Sequence, residues 1–422
     1  MRWCFSVLLA AVAVSASAQS PSSTVRVRLL AASAPTSVTL SSAAPLELVA
    51  GSDRLDADAR RVEVRATGGR VRVSGAGRDV TTDRLRVAAD APVALRAGRV
   101  DRSYAGSLTL RAIGGRLQIV NAVPFVDYVA SVVASEYPFS EIEGIKAQAV
   151  LARTYAARRL DPTAGYDLDD HEGAQVYKGA GAVTDRSWRA ADETRGETLT
   201  YDGELAEAVY SSSSGGHTAD NETIWNGRPL PYLRGVPDPY DADAPDHTWT
   251  ATVSSREVHR ALARRHGGTV RGLRVVDVSR EGRVRRIELV GSREISGSEF
   301  RATVNAALGY RTIRSTRFEL ASRGDDYVFT GRGFGHGVGM SQYGARAQAR
   351  EGRSYRDILA YYFQGTTVEQ APGEAAVASS SRWPTRRGVA RGDGAASDST
   401  AAPPARRTRP TPRREARARR GW

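Results

Sequence analysis

One glutamate, Glu136, has the sequence context of a general acid. It ends an apolar stretch, VPFVDYVASVVASEYP, in which the apolar residues recur at helical spacing, and Pro138 predicts the end of that helix. The negative end of the helix dipole and apolar surroundings both disfavour an ionised carboxyl group. We therefore expect Glu136 to have a raised pKa, as a general acid needs near neutral pH. The alternative is an ordinary solvated glutamate at a helix end.

A second polar cluster, YSSSSGGHTAD, covers residues 210–220 and follows the strand-like segment ELAEAV. Serine hydroxyls near His217 fit a serine hydrolase in which the imidazole is the base, but the chain has neither a G-x-S-x-G elbow nor an S-x-x-K motif. A sugar-binding loop and a purely structural polar loop are the other interpretations. The aromatic residues downstream, Trp225, Tyr232 and Tyr240, suit either stacking on sugar rings or packing within the domain.

Glycine occupies every second position from Gly331 to Gly339 in the segment GRGFGHGVGMSQYGA. No frame of this segment supplies G-x-G-x-x-G or a Gly-Lys pair, which excludes the common phosphate-binding loops. A period of two predicts a strand whose glycine face admits another backbone or a ligand. A tightly packed structural strand is the alternative. The opposite face of the predicted strand carries Arg332, Phe334, His336, Val338 and Met340.

The first twenty residues, MRWCFSVLLAAVAVSASAQS, have the pattern of a secretory signal peptide. One basic residue, Arg2, precedes a short apolar run, and the small residues at positions 16–18 predict cleavage after Ala18. We therefore expect the protein to be exported to the periplasm or cell envelope. The only cysteine, Cys4, lies inside the predicted signal, so we expect a mature chain without disulfides or thiolate ligands.

Most of the positive charge is concentrated at the end of the chain. Residues 382–422 contain twelve arginines and three acidic residues, which account for +9 of the net +13. Because this segment is rich in proline, alanine and serine, we predict a disordered tail over residues 371–422. In an exported protein such a tail is suited to anionic envelope polymers rather than to nucleic acid. A solubilising tail without a partner is the alternative.

Between these ends, the patterns predict an α+β protein. Residues 25–120 contain alternating runs around Gly-Gly pairs, as in RVEVRATGGRVRVSG and SLTLRAIGGRLQIV, which predicts a β-hairpin-rich region. Residues 121–370 mix helical and strand patterns. SREVHRALARRH and SGSEFRATVNAAL predict helices, RVVDVSREGRVRRIELVG predicts a hairpin, and Ser140 with Glu143 predicts a capping box at a helix start.

The order of five sequence blocks resembles the stage II sporulation protein D and amidase-enhancer family (SpoIID/LytB). The resemblance covers approximately residues 123–368. The blocks are VPFVDYVASVVASEYP, GIKAQAVLARTYAARR, VYSSSSGGHTA, WNGRPLPYLRGVPDPYD, and FTGRGFGHGVGMSQYGA with SYRDILAYYFQGT after it. The N-terminal hairpins and the tail lie outside the resemblance.

The resemblance implies peptidoglycan chemistry. Sporulation members of the family are lytic transglycosylases that cut the glycan between N-acetylmuramic acid and N-acetylglucosamine, and their catalytic glutamate matches Glu136. Other members enhance a cell-wall amidase, so a non-catalytic, peptidoglycan-binding partner of such an amidase is the alternative function. A glycosidase that uses water generally needs two carboxylates, and the sequence shows no second one in a comparable context. A lytic transglycosylase can use a single carboxylate, which agrees with this.

We expect the glycan to contact residues of these same blocks, and we expect the glycine-alternating segment to form a wall of the cleft with His336 directed at the sugars. The predicted substrate-binding residues are Tyr137, Lys146, Gln148, Arg153, Tyr155, Ser213, Ser214, Gly215, Gly216, His217, Thr218, Trp225, Arg332, His336 and Gln342.

One segment departs from the family pattern. Sporulation members often carry a sequence like YDVCDTTHCQVY, whose cysteines and histidine can hold zinc. Here residues 166–177 read YDLDDHEGAQVY, with Asp169 and Ala174 at the cysteine positions, Gly173 at the histidine position and His171 displaced. Because a structural zinc needs four ligands, we expect this site to be lost and the protein to use neither metal nor cofactor.

Overall fold

The computed structural model describes residues 24–371 apart from residues 57, 172 and 226. The predicted signal peptide and almost all of the predicted basic tail lie outside these described residues, so both stay predictions. Within the described part of the chain, no helix is both long and apolar enough to cross a membrane.

The N-terminal region is a sandwich of two mainly antiparallel sheets, which confirms the predicted β-rich region. Alternating buried and exposed residues along each strand place valine and leucine side chains between the sheets. The strands are β1 (Thr24–Leu29), β2 (Ser37–Ser41), β3 (Glu47–Ala50), β4 (Asp53–Arg54), β5 (Arg61–Thr67), β6 (Arg70–Ala76), β7 (Arg78–Thr82), β8 (Leu85–Ala88), β9 (Val93–Ala97), β10 (Val100–Tyr104), β11 (Ser107–Ile113) and β12 (Arg116–Pro124).

Both predicted Gly-Gly hairpins form. Gly68 and Gly69 join β5 to β6 with φ values of 56° and 81°, and Gly114 and Gly115 join β11 to β12 with φ values of 57° and 75°. A two-residue turn with positive φ at both positions matches the twist of the paired strands, and glycine adopts it without a steric penalty.

The remainder of the described chain is mixed α+β, as predicted. Its elements are α1 (Phe125–Glu136), α2 (Ile142–Ala157), β13 (Leu168–Asp169), α3 (Asp185–Glu193), β14 (Glu197–Tyr201), β15 (Glu204–Leu205), β16 (Tyr210–Ser211), α4 (Asn221–Trp225), β17 (Thr248–Ser254), α5 (Ser255–His266), β18 (Gly272–Val278), β19 (Val284–Val290), β20 (Glu294–Ser296), α6 (Gly297–Leu308), β21 (Phe318–Arg323), β22 (Asp326–Arg332), β23 (Met340–Ser341), α7 (Gln342–Arg350), α8 (Tyr355–Tyr362) and β24 (Thr367–Gln370).

The sandwich and the helices that follow it share strands and a buried core. The seven-stranded sheet has the order β13-β1-β12-β11-β8-β3-β4, and the six-stranded sheet has the order β10-β9-β2-β5-β6-β7. Helices α1 and α2 extend the sandwich core, because Val129, Val132 and Ala149 belong to the same buried cluster as the strands. Strand β12 runs across the predicted boundary at residue 120 and leads directly into α1. The predicted domain limits stay predictions.

Two further cores complete the described structure. One lies among α2, α7, α8 and β14, and it includes Leu151, Met340 and Phe363. The other is formed by α5 and α6 against two small sheets, β17-β22-β21 and β18-β19-β20, and it includes Phe300 and Phe329. The sequence predicted two helices and a hairpin in this part of the chain. The helices are α5 and α6, and the hairpin is β18–β19.

The prediction of a strand over the glycine-alternating segment is wrong beyond Arg332, where β22 ends. Gly333, Gly335, Gly337 and Gly339 all have positive φ, between 70° and 112°, which a regular strand does not contain. A side chain at Gly333 would meet the Ser213 carbonyl oxygen at 2.7 Å. The glycines therefore permit an irregular, backbone-to-backbone contact with the serine-rich segment.

Two smaller predictions are also wrong. Helix α2 has Glu141 as its N-cap, without a side-chain capping bond, so Ser140 and Glu143 form no capping box. Glu143 instead accepts a hydrogen bond from the backbone N–H of Tyr355 (2.9 Å). Of the strand-like segment ELAEAV, only Glu204 and Leu205 are in a strand.

Candidate active site

A polar cavity of about 610 Å³ contains the predicted catalytic glutamate. It lies where α1, α2 and α4 approach the segment between β15 and β16. The residues around it are Glu136, Tyr155, Arg159, Gly173, Ala174, Gln175, Glu207, Ala208, Val209, Tyr210, Trp225 and His336. Four of the residues predicted from the sequence, namely Glu136, Tyr155, Trp225 and His336, are therefore brought together.

Glu136 is the last residue of α1 and is half-buried. The helix ends there because Pro138 disfavours helical geometry in the residue before it, and Tyr137 has φ −126° and ψ 80°. The Glu136 side chain accepts a hydrogen bond at Oε1 from the backbone N–H of Val176 (2.7 Å). Its backbone carbonyl accepts from Nε2 of Gln342 (3.0 Å). The carboxylate is thus held by a neighbouring segment rather than left as a solvated helix end.

The segment that carries Val176 is itself braced inside the protein. Gln175 accepts a hydrogen bond from the Tyr128 hydroxyl (2.9 Å) and donates through Nε2 to the Tyr210 hydroxyl (3.3 Å). Burial raises the pKa of both tyrosines well above its usual value, so both hydroxyls stay protonated. Glu136 therefore faces a fixed wall that includes neutral hydroxyl groups.

The same segment is anchored to the first strand of the sandwich. Strand β13 pairs in parallel with β1. Arg28 donates to both carboxylate oxygens of Asp169 (2.6 and 2.9 Å). Asp170, which is buried, accepts from the backbone N–H of Leu30 (2.9 Å) and forms an ion pair with Arg102 (3.4 Å). We call these contacts of Asp169 and Asp170 with Arg28, Leu30 and Arg102 the aspartate clamp.

A second carboxylate, Glu207, lies in the cavity, which corrects the expectation that none would be found. Its two oxygens are each taken by an arginine: Arg159 Nη2 is 2.5 Å from Oε1 and Arg158 Nε is 3.1 Å from Oε2. Glu207 could not be predicted from local patterns, because it lies in an irregular segment and its partners are almost 50 residues away along the chain. With both oxygens ion-paired, Glu207 is poorly suited to deprotonating water. The arginines also make the surroundings of Glu136 more polar than predicted.

His336 lines the cavity, but backbone groups occupy both of its ring nitrogens. Nδ1 accepts from the backbone N–H of Val338 (3.1 Å), so Nε2 must carry the proton that bonds the Tyr210 carbonyl (2.8 Å). Burial lowers the pKa of His336 to about 4. His336 is therefore a neutral, fixed side chain near neutral pH, and the expectation that its polar atoms point at a sugar is wrong.

Trp225 and Tyr155 give the cavity its aromatic surfaces. The Trp225 ring is 45% exposed and lies 5.1 Å from the His336 ring. The Arg159 guanidinium lies 3.5 Å from the centre of the Tyr155 ring, a cation–π contact. Of the two aromatics, Trp225 offers the accessible face on which an apolar surface of a ligand can rest.

Several predicted ligand contacts are structural. Arg153 is fully buried and donates to the carbonyl oxygens of Ala191 (2.8 Å) and Glu197 (3.1 Å). Tyr137 and Gln148 are buried among other residues, while Gln342 donates to the Glu136 carbonyl. The structure does not bring these four side chains to the cavity, because they are buried inside the protein.

Lys146 and Arg332 do not line the cavity either, so their contacts with a glycan stay predictions. Lys146 forms ion pairs with Glu193 (2.8 Å) and Glu143 (3.2 Å) on the helix surface. Arg332 ends β22 and is exposed outside the cavity.

The serine cluster surrounds a buried carboxylate, Asp241, that the sequence analysis missed. Asp241 Oδ2 accepts from the hydroxyls of Ser213 (2.7 Å) and Ser214 (3.0 Å) and from the backbone N–H of Gly215 (2.8 Å). Its Oδ1 lies 2.5 Å from Nδ1 of His247. These groups order the loop and leave the serines unavailable as ligands or nucleophiles. The aspartate gave no signal because its partners are distant in sequence.

No serine–histidine pair forms at His217, so the serine hydrolase interpretation is wrong. His217 Nδ1 contacts the Thr218 carbonyl (2.7 Å) and the ring lines a separate cavity of about 590 Å³. Thr218 is buried and its hydroxyl accepts from the backbone N–H of Val236 (2.8 Å). Gly216 donates through its backbone N–H to Ser214 (3.1 Å). These residues therefore lie away from Glu136.

Residues 166–177, where we predicted that a zinc site is lost, contain charged and polar contacts. Asp169 bonds Arg28, and His171 Nδ1 accepts from the backbone N–H of Gly173 (3.0 Å). Across the described residues, histidine, cysteine and acidic side chains form no group of three placed to hold a metal ion. That the protein uses no metal stays a prediction.

The fold and the cavity define an α+β protein with a half-buried glutamate at a helix end, an arrangement suited to acid–base chemistry on a polar ligand. Residues 114–201 match the family described as Stage II sporulation protein, and residues 240–339 match a domain of unknown function (DUF8618). The chain is 33% identical to Stage II sporulation protein D of Bacillus subtilis (strain 168) over 273 residues, covering 60% of this chain and 77% of that relative.

Two other relatives extend the comparison. Stage II sporulation protein D of Bacillus amyloliquefaciens is 32% identical over 271 residues, covering 60% of this chain and 76% of the relative. Amidase enhancer of B. subtilis (strain 168) is 30% identical over 291 residues, covering 56% of this chain and 39% of the relative. The chain belongs to the stage II sporulation protein D family, which confirms the resemblance and fits a cell-wall-related role.

Proposed function

We propose that this protein is an exported enzyme that cleaves peptidoglycan glycan strands by lytic transglycosylation, with Glu136 as the only acid and base. The observation that carries the proposal is the placement of Glu136: a half-buried carboxylate, fixed by the Val176 N–H, in a polar cavity with one accessible indole face. Family membership supports the choice of a cell-wall substrate.

The chemistry requires two successive proton transfers at Glu136. Protonated Glu136 donates to the glycosidic oxygen as the bond from that oxygen to C1 of the muramyl residue breaks. The resulting carboxylate then takes the proton from the muramyl C6 hydroxyl, whose oxygen bonds to C1 and closes a 1,6-anhydro ring. Glu136 is protonated again at the end, and no water is consumed.

The state of Glu207 favours this reaction over hydrolysis. A hydrolase needs a second carboxylate to activate water or to attack the sugar. Glu207 is the other carboxylate of the cavity among the described residues, and Arg158 and Arg159 occupy both of its oxygens. Its proposed task is to hold Arg159 in place beside Tyr155.

A second candidate function follows from one relative. The name Amidase enhancer favours a non-catalytic role in which this chain binds peptidoglycan and assists a cell-wall amidase. In that case the same cavity binds glycan without cutting it.

Muropeptide analysis of digested cell walls tests both candidates. We expect the purified protein alone to release fragments with 1,6-anhydromuramyl ends. Glu136→Gln preserves an acceptor for the Val176 N–H but cannot donate a carboxylic proton, so we expect a loss of about 10²–10⁴ in rate. Glu207→Gln is the matched control in the same cavity, and we expect it to retain far more activity.

The two candidates predict different products. Anhydro ends that disappear in Glu136→Gln support the transglycosylase. Cleavage products that appear only when an amidase is added, with or without Glu136, support the enhancer. Near-normal glycan cleavage by purified Glu136→Gln would contradict the proposed role of this residue.

A further inference from the structure

Two aromatic side chains stand out on the surface. Among the described residues, Trp225 and Tyr310 are the aromatics that expose more than a third of their surface, at 45% and 65%. A single exposed apolar side chain is ordinary, whereas exposed rings grouped on one loop enlarge the apolar surface, and larger apolar surfaces mark binding sites. Trp225 already belongs to the cavity of Glu136, whereas nothing in the proposed reaction uses Tyr310.

Both exposed rings rest on the same glycine-rich loop. The Trp225 ring lies 5.1 Å from that of His336, and the Tyr310 ring lies 6.3 Å from that of Phe334. His336 and Phe334 are two residues apart, so their Cα atoms lie within about 7 Å of each other. Trp225 and Tyr310 therefore contact residues of this loop that lie only two positions apart.

The loop fixes the position of the second surface. Phe334 exchanges two backbone hydrogen bonds with Ser213 (2.9 and 3.1 Å), and Gly335 donates to the Arg314 carbonyl (3.0 Å). The guanidinium of Arg311 lies 4.8 Å from the centre of the Phe334 ring. We call Tyr310, Phe334 and Arg311 the outer platform.

We propose that the outer platform binds a second part of the same glycan strand, beyond the sugars held at Trp225. The inference rests on the proposed function. Aromatic rings offer flat apolar surfaces to the C–H faces of sugar rings, as they do to other apolar groups. Arg311 is about half exposed, and although Asp246 bonds it (3.0 Å), its charge favours the lactyl carboxylate of a muramyl residue that carries no stem peptide.

Calorimetric binding measurements with peptidoglycan oligosaccharides of two lengths test the platform. All proteins carry Glu136→Gln so that the ligand is not cut. We expect Tyr310→Ala to weaken binding of an octasaccharide about threefold to tenfold, since an aromatic contact contributes about 0.5–1.5 kcal/mol. Binding of a disaccharide should not change. Tyr310→Phe retains the ring and should retain the affinity.

Two controls separate this inference from the proposed function. Trp225→Ala should weaken binding of both oligosaccharides, because Trp225 lies in the cavity. Ile113→Ala removes another exposed apolar side chain, 55% exposed at the turn between β11 and β12, and should change neither. If Tyr310→Ala behaves like Ile113→Ala while Trp225→Ala weakens binding, the outer platform is refuted and the proposed function stands.

Two other results are decisive as well. Equal weakening of disaccharide and octasaccharide by Tyr310→Ala refutes an outer position for this surface. If the protein with Glu136→Gln alone binds neither oligosaccharide, glycan binding itself is refuted, and with it both the proposed function and this inference.

Discussion

At the scale of single residues, the environment of each carboxylate decides its role. Glu136 accepts a hydrogen bond from the Val176 N–H and lines a cavity, whereas Glu207 is held by two arginines and Asp241 by hydroxyl, amide and imidazole groups. Asp238 is different again, because it is buried beside Asp241 and its Oδ1 accepts a hydrogen bond from Tyr362 (3.0 Å). The same functional group thus serves as candidate acid, ion-pair partner and structural anchor.

Asp238 should make stability depend on pH. Burial, followed by the charge of Asp241, raises the pKa of Asp238 to about 6. The folded protein then holds this proton more tightly than the unfolded chain, so the contribution of Asp238 to stability is lost as pH rises from about 4 to about 6. Asn cannot ionise, so Asp238→Asn should gain stability relative to wild type over that interval, by at most about 3 kcal/mol.

Urea unfolding at pH 4 and pH 7 measures this difference. The same substitution at Asp243, an exposed aspartate of the same loop, controls for removing a negative charge. A stability difference between Asp238→Asn and wild type that is the same at both pH values contradicts the assignment.

At the scale of elements, the positions of the glycines in the loop after β22 are set by close contacts. A side chain at Gly339, which has φ 70°, would collide with the Val209 carbonyl oxygen. Gly114 has φ 57°, but a side chain there would meet nothing within 4 Å. The two positions therefore share a left-handed backbone conformation and differ in the space around them.

Substituting alanine at these two glycines should separate strain from collision. Gly114→Ala should cost about 1–2 kcal/mol of the free energy of unfolding, which is the penalty for a left-handed conformation. Gly339→Ala should cost at least twice as much, because the backbone of Val209 must also move. Denaturant unfolding of both variants measures the two changes in free energy of unfolding. Equal changes would mean that the loop moves away from the Val209 carbonyl at little cost.

The aspartate clamp should affect catalysis, because it holds the segment whose Val176 N–H contacts Glu136. Asp170→Asn weakens charged hydrogen bonds that hold the segment carrying Val176, and such bonds contribute about 1.5–3 kcal/mol each. We expect kcat for glycan cleavage to fall while KM changes little, because Asp170 positions the partner of Glu136 and does not line the cavity.

Asp83→Asn is the matched control for the clamp, since Asp83 is an exposed partner of Arg70 on the sandwich. It should leave both kinetic constants unchanged. A larger change in KM than in kcat for Asp170→Asn would place the clamp in substrate binding instead of in the alignment of Glu136.

The sequence predicted regular elements well and close contacts poorly. Helical spacing predicted α1 and its end at Glu136, and Gly-Gly pairs predicted two hairpins, because both signals are local. Asp241 and Glu207 were missed because their partners lie elsewhere in the chain. The glycine-alternating segment was misassigned because a period of two is also compatible with a loop in which every second residue needs positive φ.

At the scale of the whole molecule, charge is distributed unevenly along the chain, with +9 of the net +13 in residues 382–422. Deleting residues 381–422 should leave cleavage of soluble glycan unchanged but weaken retention on isolated cell walls. The attraction should disappear with added salt, since exposed charges are screened over about 8 Å at physiological ionic strength.

A co-sedimentation assay with cell walls at low and high salt measures retention. A tail with its twelve arginines replaced by glutamine controls for length and should behave like the deletion. Equal retention of all three proteins at low salt would remove any role for the tail in wall binding.

The aspartate clamp also has a consequence for the order of folding. Strand β1 must pair with β12, about one hundred residues later, and with β13, 141 residues beyond Val27 and Arg28, before the Val176 N–H reaches Glu136. Contacts so distant along the chain form slowly, because a long loop must close first. A newly made chain should therefore align Glu136 late in folding, and partly folded copies should lack the positioned carboxylate that the proposed reaction requires.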